Sequence, residues 1–138
     1  LVIDTNVVVS GLLWAGHPRR LLELALADKI TLYSSPALVD ELSQTLHYAK
    51  LSKRIVAMQT TVQALVAQYS AIATLVLPEQ VPRVIAHDAD DDQVLACAVQ
   101  ARAHLITSGD RHLHSLGGSY QGIRVVTPAE ATALLQLV

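Results

Sequence analysis

Short apolar, β-branched runs alternate along this chain with longer stretches of helical periodicity, and that alternation restricts the fold more than any other feature. The runs fall at residues 1–3, 30–33, 84–86, 105–107 and 124–126. Each is long enough for one strand and no more. Parallel neighbours need a crossover connection, normally a helix, so strand–helix alternation predicts parallel pairing. The expectation is a three-layer α/β/α domain over residues 1–138, with five parallel strands covered by helices on both faces.

The intervening segments carry helix signals of their own. Residues 7–14 are apolar and stop near Gly16 and Pro18. Residues 18–28 set Leu21, Leu22, Leu24, Ala25 and Leu26 against Arg19, Arg20, Glu23 and Asp28. Ser35 followed by Pro36 reads as an N-cap with proline at the first helical position, opening a helix to about His47. An Ala-rich helix is expected over 91–103, and a short one after Asp110 that Gly117-Gly118 breaks. Thr127-Pro128 opens the last helix, and Glu130 completes a capping-box pattern with Thr127.

No charged residue occurs from Ile55 to Pro78. That stretch nears the length of a membrane span. Gln59, Thr60, Thr61, Gln63, Gln68, Ser70 and Thr74 interrupt it, so a transmembrane helix is rejected. Ile55, Met58, Val62, Leu65, Tyr69 and Ile72 recur at spacings of three and four, a helical stripe. The stripe reads first as core packing and second as a dimer seam. Pro78 and Pro82 then bracket a loop.

The chain is 51% hydrophobic and 16% charged, enough apolar material for a real core. A formal net charge of −2 excludes a strongly basic nucleic-acid coat. The single Cys97 builds no disulfide framework and fits a reducing, cytoplasmic setting. It lies among small apolar residues, which favours packing over nucleophilic work. No secretory signal pattern is visible, and an opening at Leu1 rather than Met reads as a short native start missing from the sequence.

Four acids sit where such a sheet gathers ligand-binding groups. Asp4 ends the first strand, Glu41 lies early in the helix after the second, Asp92 opens the Ala-rich helix, and Asp110 follows the fourth strand. Each also has a plain reading. Asp4 and Asp110 suit turns or caps, Glu41 a solvated face, and the cluster Asp88, Asp90, Asp91 and Asp92 a helix N-terminus. Asp92 shares a face with Leu95, Ala96 and Val99, but Asp91 shares one with Val94, Leu95 and Ala98, so periodicity leaves both open. Capping alone does not explain why the first and fourth strands both release an acid at the same edge. Carboxylates gathered there repel unless a hard divalent cation seats among them, and such a pocket points to phosphodiester hydrolysis.

Four segments then resemble the motifs of the PIN-domain family, in order along the whole chain. They are Leu-Val-Ile-Asp-Thr-Asn at 1–6, Ser-Pro-Ala-Leu-Val-Asp-Glu-Leu at 35–42, Asp-Ala-Asp-Asp-Asp-Gln-Val-Leu-Ala-Cys-Ala at 88–98, and Leu-Ile-Thr-Ser-Gly-Asp at 105–110. The text is similar to the bacterial toxin–antitoxin branch, the VapC-type ribonucleases. The resemblance implies a strand order 3-2-1-4-5 and a Mg²⁺- or Mn²⁺-dependent endoribonuclease. It implies Asp4, Glu41, Asp92 and Asp110 as the acidic quartet, with Asn6 and Thr107 in support. Asp4, Asp92 and Asp110 are the expected metal ligands, with Glu41, Asp88 and Asp91 as further candidates. A protein antitoxin and a homodimer are the partners such toxins usually have.

An RNA substrate needs cationic guides, and the candidates are Arg19, Arg20, Lys53, Arg54 and Arg111, with Lys50 and His112 beside them. The six histidines show no zinc spacing. A haloacid-dehalogenase-like phosphatase needs an acid where Asn6 stands, and a receiver-like domain needs a lysine after a late strand that this chain lacks. A PIN-like module without catalysis is the remaining rival.

Overall fold

The computed structural model describes residues 1–78, 89–109 and 119–136. The element order is β1 (Val2–Ile3), α1 (Thr5–Leu13), α2 (His17–Leu26), β2 (Leu32–Ser34), α3 (Pro36–Leu46), α4 (Ala49–Ala57), α5 (Val62–Ile72), β3 (Ala73–Leu75), α6 (Ala89–Ala101), β4 (Leu105–Thr107), β5 (Ser119–Tyr120), β6 (Ile123–Val126) and α7 (Pro128–Gln136). The sheet runs β3-β2-β1-β4-β6-β5. Its five parallel strands, β1, β2, β3, β4 and β6, have the expected order 3-2-1-4-5. Among the described residues no helix is long and apolar enough to cross a membrane.

Strand alternation divides the core into two. Side chains one residue apart leave a strand on opposite faces. Val2, Ile106 and Val125 therefore pack with Val94, Leu95, Cys97 and Ala98 of α6 on one face. Ile3, Leu32 and Val126 join Leu12, Leu21, Leu42, Leu65 and Tyr69 on the other. Both faces are covered, which is why the central strands read as unbroken apolar runs.

Local signals determine the helix starts. The Ser35 hydroxyl accepts from the Leu38 N–H at 3.3 Å, with Pro36 beginning α3. Thr127 and Glu130 form the reciprocal capping box at 3.1 and 3.2 Å. Gly11 in α1 is a packing glycine: an added Cβ would lie 2.9 Å from both Leu22 Cδ1 and the Pro18 carbonyl oxygen. This close approach lets α2 fold back onto α1.

Three expectations need correction. The third strand is at Ala73–Leu75, and it follows α5 without a loop; residues 84–86, where it was expected, lie outside the described residues. The helical stripe running through Ile72 hid the change to extended backbone at Ala73 (φ −99°, ψ 147°). The stripe itself is two helices: Gln59 takes φ 56° after α4, and the Thr61 hydroxyl caps α5 by accepting from the Ala64 N–H at 3.1 Å. All six stripe residues nevertheless pack in one core cluster, because the four-residue step from Met58 to Val62 spans the break. Finally, β5 adds an unexpected antiparallel edge strand. It turns into β6 at Gln121 (φ 48°) and Gly122 (φ 81°), the doubly left-handed geometry of a tight hairpin. The short helix expected after Asp110 lies outside the described residues.

Candidate active site

Asp4 takes its position from β1. The strand pairs with β4 in the register Ile3 opposite Thr107, and the Asp4 N–H donates to the Thr107 carbonyl at 2.9 Å. The chain then turns directly into α1 with Asp4 as the N-cap. Its Oδ1 accepts the Asn6 N–H at 3.2 Å, and its Oδ2 accepts the Ser108 hydroxyl at 2.6 Å. Asp4 as a whole is only 6% exposed. The capping and the ligand readings of Asp4 are thus compatible: one oxygen caps the helix, and a carboxylate has about four acceptor sites in all.

Asp92 arrives at the same sheet edge by another route. α6 is the crossover from β3 to β4, so its N-terminus meets the C-terminal ends of the parallel strands. The helix packs against β1, β2, β4 and α3. Asp92 stands in its first turn and is 2% exposed, beside Leu95 and Ala96, which are also buried. The Asp91 side chain lies outside the described residues, as do Asp88, Asp110, Arg111 and His112.

Glu41 is half-buried on α3, on the side carrying Leu38 and Thr45, while its neighbour Asp40 is exposed. α3 packs against both α1 and α6. Asp4, Glu41, Asp92 and Ser108 also take part in further polar or electrostatic contacts. Among the described residues no three His, Cys, Asp or Glu side chains form a group that could hold a metal ion, so Asp4, Glu41 and Asp92 do not complete one by themselves.

The supporting residues differ in detail from expectation. Asn6 contributes its backbone N–H, and its side chain is exposed. Thr107 contributes its carbonyl, while its buried hydroxyl has no hydrogen-bond partner among the described residues. The side chain that holds Asp4 is Ser108, fully buried, which sequence reasoning passed over. The β1–β4 register would have found it, since one step past Ile3 and Thr107 sets Asp4 opposite Ser108.

Two of the expected cationic guides, Arg19 and Arg54, reach the far end of α1. Arg19 donates from Nε to the Gly11 carbonyl at 3.2 Å and from Nη2 to the Leu12 carbonyl at 3.1 Å. Arg54 donates from Nε to the Leu13 carbonyl at 2.7 Å. Both close the C-terminal end of α1, about 13 Å along the helix from the Asp4 end. Arg20 and Lys53 are exposed. Cys97 is buried, and burial pushes its thiol up to about 12, which keeps it neutral and inert.

The comparisons with known proteins agree with this arrangement. The family profile described as PIN domain matches residues 1–112. An uncharacterised protein of Methanocaldococcus jannaschii, MJ1680, is 31% identical over 117 residues, covering 84% of this chain and 74% of its own length. No solved structure matches at a significant level. PIN domains are generally nucleases that use divalent metals and act on nucleic acid. With a parallel sheet of order 3-2-1-4-5 and buried acids at its C-terminal edge, the chain belongs to the PIN-domain family.

Proposed function

We propose that the chain is a metal-dependent endoribonuclease whose acidic set is Asp4, Glu41, Asp92 and Asp110. The observation that carries this reading is the burial of Asp4 and Asp92, 6% and 2% exposed, at one edge of the sheet. Burying carboxylates is costly unless hydrogen bonds and opposite charge compensate. Two features suit a hard cation there. The donors at this edge are carboxylate and hydroxyl oxygens, and the buried Thr107 hydroxyl lacks a hydrogen-bond partner among the described residues. Mg²⁺ or Mn²⁺ would be held by Asp4, Asp92 and Asp110, with Glu41, Asp88 and Asp91 as further candidates. Such an ion supplies activation of water and charge neutralisation at the phosphate. Ser108 and the Asn6 N–H hold the two Asp4 oxygens in a fixed orientation. We assign Glu41 the orientation of the attacking water. In the test, labelled RNA is incubated with the protein in Mn²⁺, Mg²⁺ or EDTA. Cleavage is expected with metal and lost in EDTA and in Asp4→Asn. No cleavage with any metal, together with no Mn²⁺ binding by calorimetry, would leave a non-catalytic module and remove the proposal.

The finer assignment follows the resemblance: a cytoplasmic toxin, silenced by a protein antitoxin and assembled as a homodimer. Induced expression should arrest growth, and co-expression of the cognate antitoxin should restore it. Light scattering should return twice the chain mass. Unimpaired growth on induction of a folded, RNA-cleaving protein would separate the nuclease from any toxin role.

A further inference from the structure

We propose that the exposed face of α4, bounded by Tyr48 and Trp14, is a docking surface for single-stranded RNA, with bases stacking on the two rings and phosphates on Lys50, Lys53 and Arg54. The inference rests on the ribonuclease reading and supplies the path of the strand beyond the acidic site.

Leu51 and Ile55 turn one side of α4 into the core. Lys50, Lys53 and Arg54, related by three- and four-residue steps, share the other side and are all exposed. An aromatic ring stands at each end of this row. Lys50 Nζ lies 5.9 Å from the centre of the Tyr48 ring, and the Arg54 guanidinium lies 5.8 Å from that of Trp14. Both rings are large and open to solvent, Tyr48 at 52% and Trp14 at 43%. Exposed aromatics interleaved with cations are what a single strand uses: rings accept any base face, and cations follow the backbone.

The charge balance favours a polyanion. No Asp or Glu occurs from Leu42 to Pro78, so α4 and its flanks are wholly cationic in a chain of net charge −2. Arg54 spends its Nε–H on the Leu13 carbonyl, which fixes the guanidinium beside Trp14 while its terminal nitrogens stay available for a phosphate. α1 connects the two sites: Asp4 caps its N-terminus, and Trp14 is its C-cap. A strand cleaved at the Asp4 end can therefore continue along α1 to this surface.

Trp14 is the one tryptophan of the chain, so its fluorescence reports directly on base stacking. The wild-type protein is titrated in EDTA with single-stranded polyuridine and with an RNA duplex, which separates binding from cleavage. Saturable quenching by the single strand is expected. Tyr48→Ala should weaken binding about ten-fold. The double variant Lys50→Gln with Lys53→Gln should lower the slope of log affinity against log salt by about 1.4. Circular dichroism of each variant verifies the fold. Binding without any change in Trp14 emission, equal quenching by duplex, or displacement of the RNA by polyglutamate at matched charge would each overturn the proposal. All of these can occur in an active ribonuclease, and cleavage can fail in a protein that shows the quenching, so the two readings fall separately.

Discussion

The two ends of α1 solve the same electrostatic problem in opposite ways. A helix leaves unpaired N–H groups and partial positive charge at its start, and unpaired carbonyls and partial negative charge at its finish. At the start, a buried acid accepts the Asn6 N–H and is held by Ser108, just past β4 and 104 residues away in sequence. At the finish, two guanidinium groups from α2 and α4 take the carbonyls of Gly11, Leu12 and Leu13. The acid is hidden from solvent, while Arg54 is exposed. Both ends satisfy the helix. Only the first buries its ionisable group, and that burial is the ground for proposing a site there.

Substitutions should separate the two ends. The largest effect is expected at the start. Asp4→Asn keeps a good N-cap and should leave urea stability within about 1 kcal/mol while cutting RNA cleavage more than about a hundred-fold. A stability loss that matches the activity loss would make Asp4 a cap and nothing more. Ser108→Ala should lower cleavage and Mn²⁺ affinity about 10- to 100-fold, with recovery in Ser108→Thr. Within the helix, Gly11→Ala forces a Cβ against Leu22 and the Pro18 backbone and should cost about 1–3 kcal/mol in urea unfolding. At the finish, Arg19→Ala releases two carbonyls and should cost about 1 kcal/mol. No loss would mean that water serves those carbonyls equally well.

The smallest effect concerns the core beneath both ends. Burial pushes the Cys97 thiol from its ordinary 9.0 to about 12, and it raises the Tyr69 hydroxyl above its ordinary 10.0. Both groups stay neutral in the fold at pH values where the unfolded chain ionises. Stability should be level below about pH 9 and fall as pH rises toward 12. Urea midpoints across that range check this, and Cys97→Ala should flatten part of the slope. A flat profile in the unsubstituted protein would contradict the burial of these groups.

Reading the chain alone recovered much of this arrangement. Four of the five parallel strands, the caps at Ser35 and Thr127, and the positions of Asp4 and Asp92 at strand or helix ends were all readable, and the strand order followed from the family resemblance. The misses share a cause. β3 was hidden because the apolar stripe of α5 runs into it, and a periodicity of side chains does not record where the backbone straightens. β5 was hidden because two residues carry no pattern. The carbonyl partners of Arg19 and Arg54 were not readable because they belong to a different helix.

What the sequence by itself determined is therefore local: alternation, periodicity and caps depend on residues within about four positions of one another, and the chain carries them wherever it folds. Tertiary structure alone decided which groups face each other. The parallel register of β1 and β4 chose Ser108 as the partner of Asp4, and the docking of α4 brought Arg54 to Leu13, 41 residues away in sequence. Such contacts form only when both faces of the sheet are covered at once, because the burial that orders them is shared by all the helices rather than encoded in any one of them.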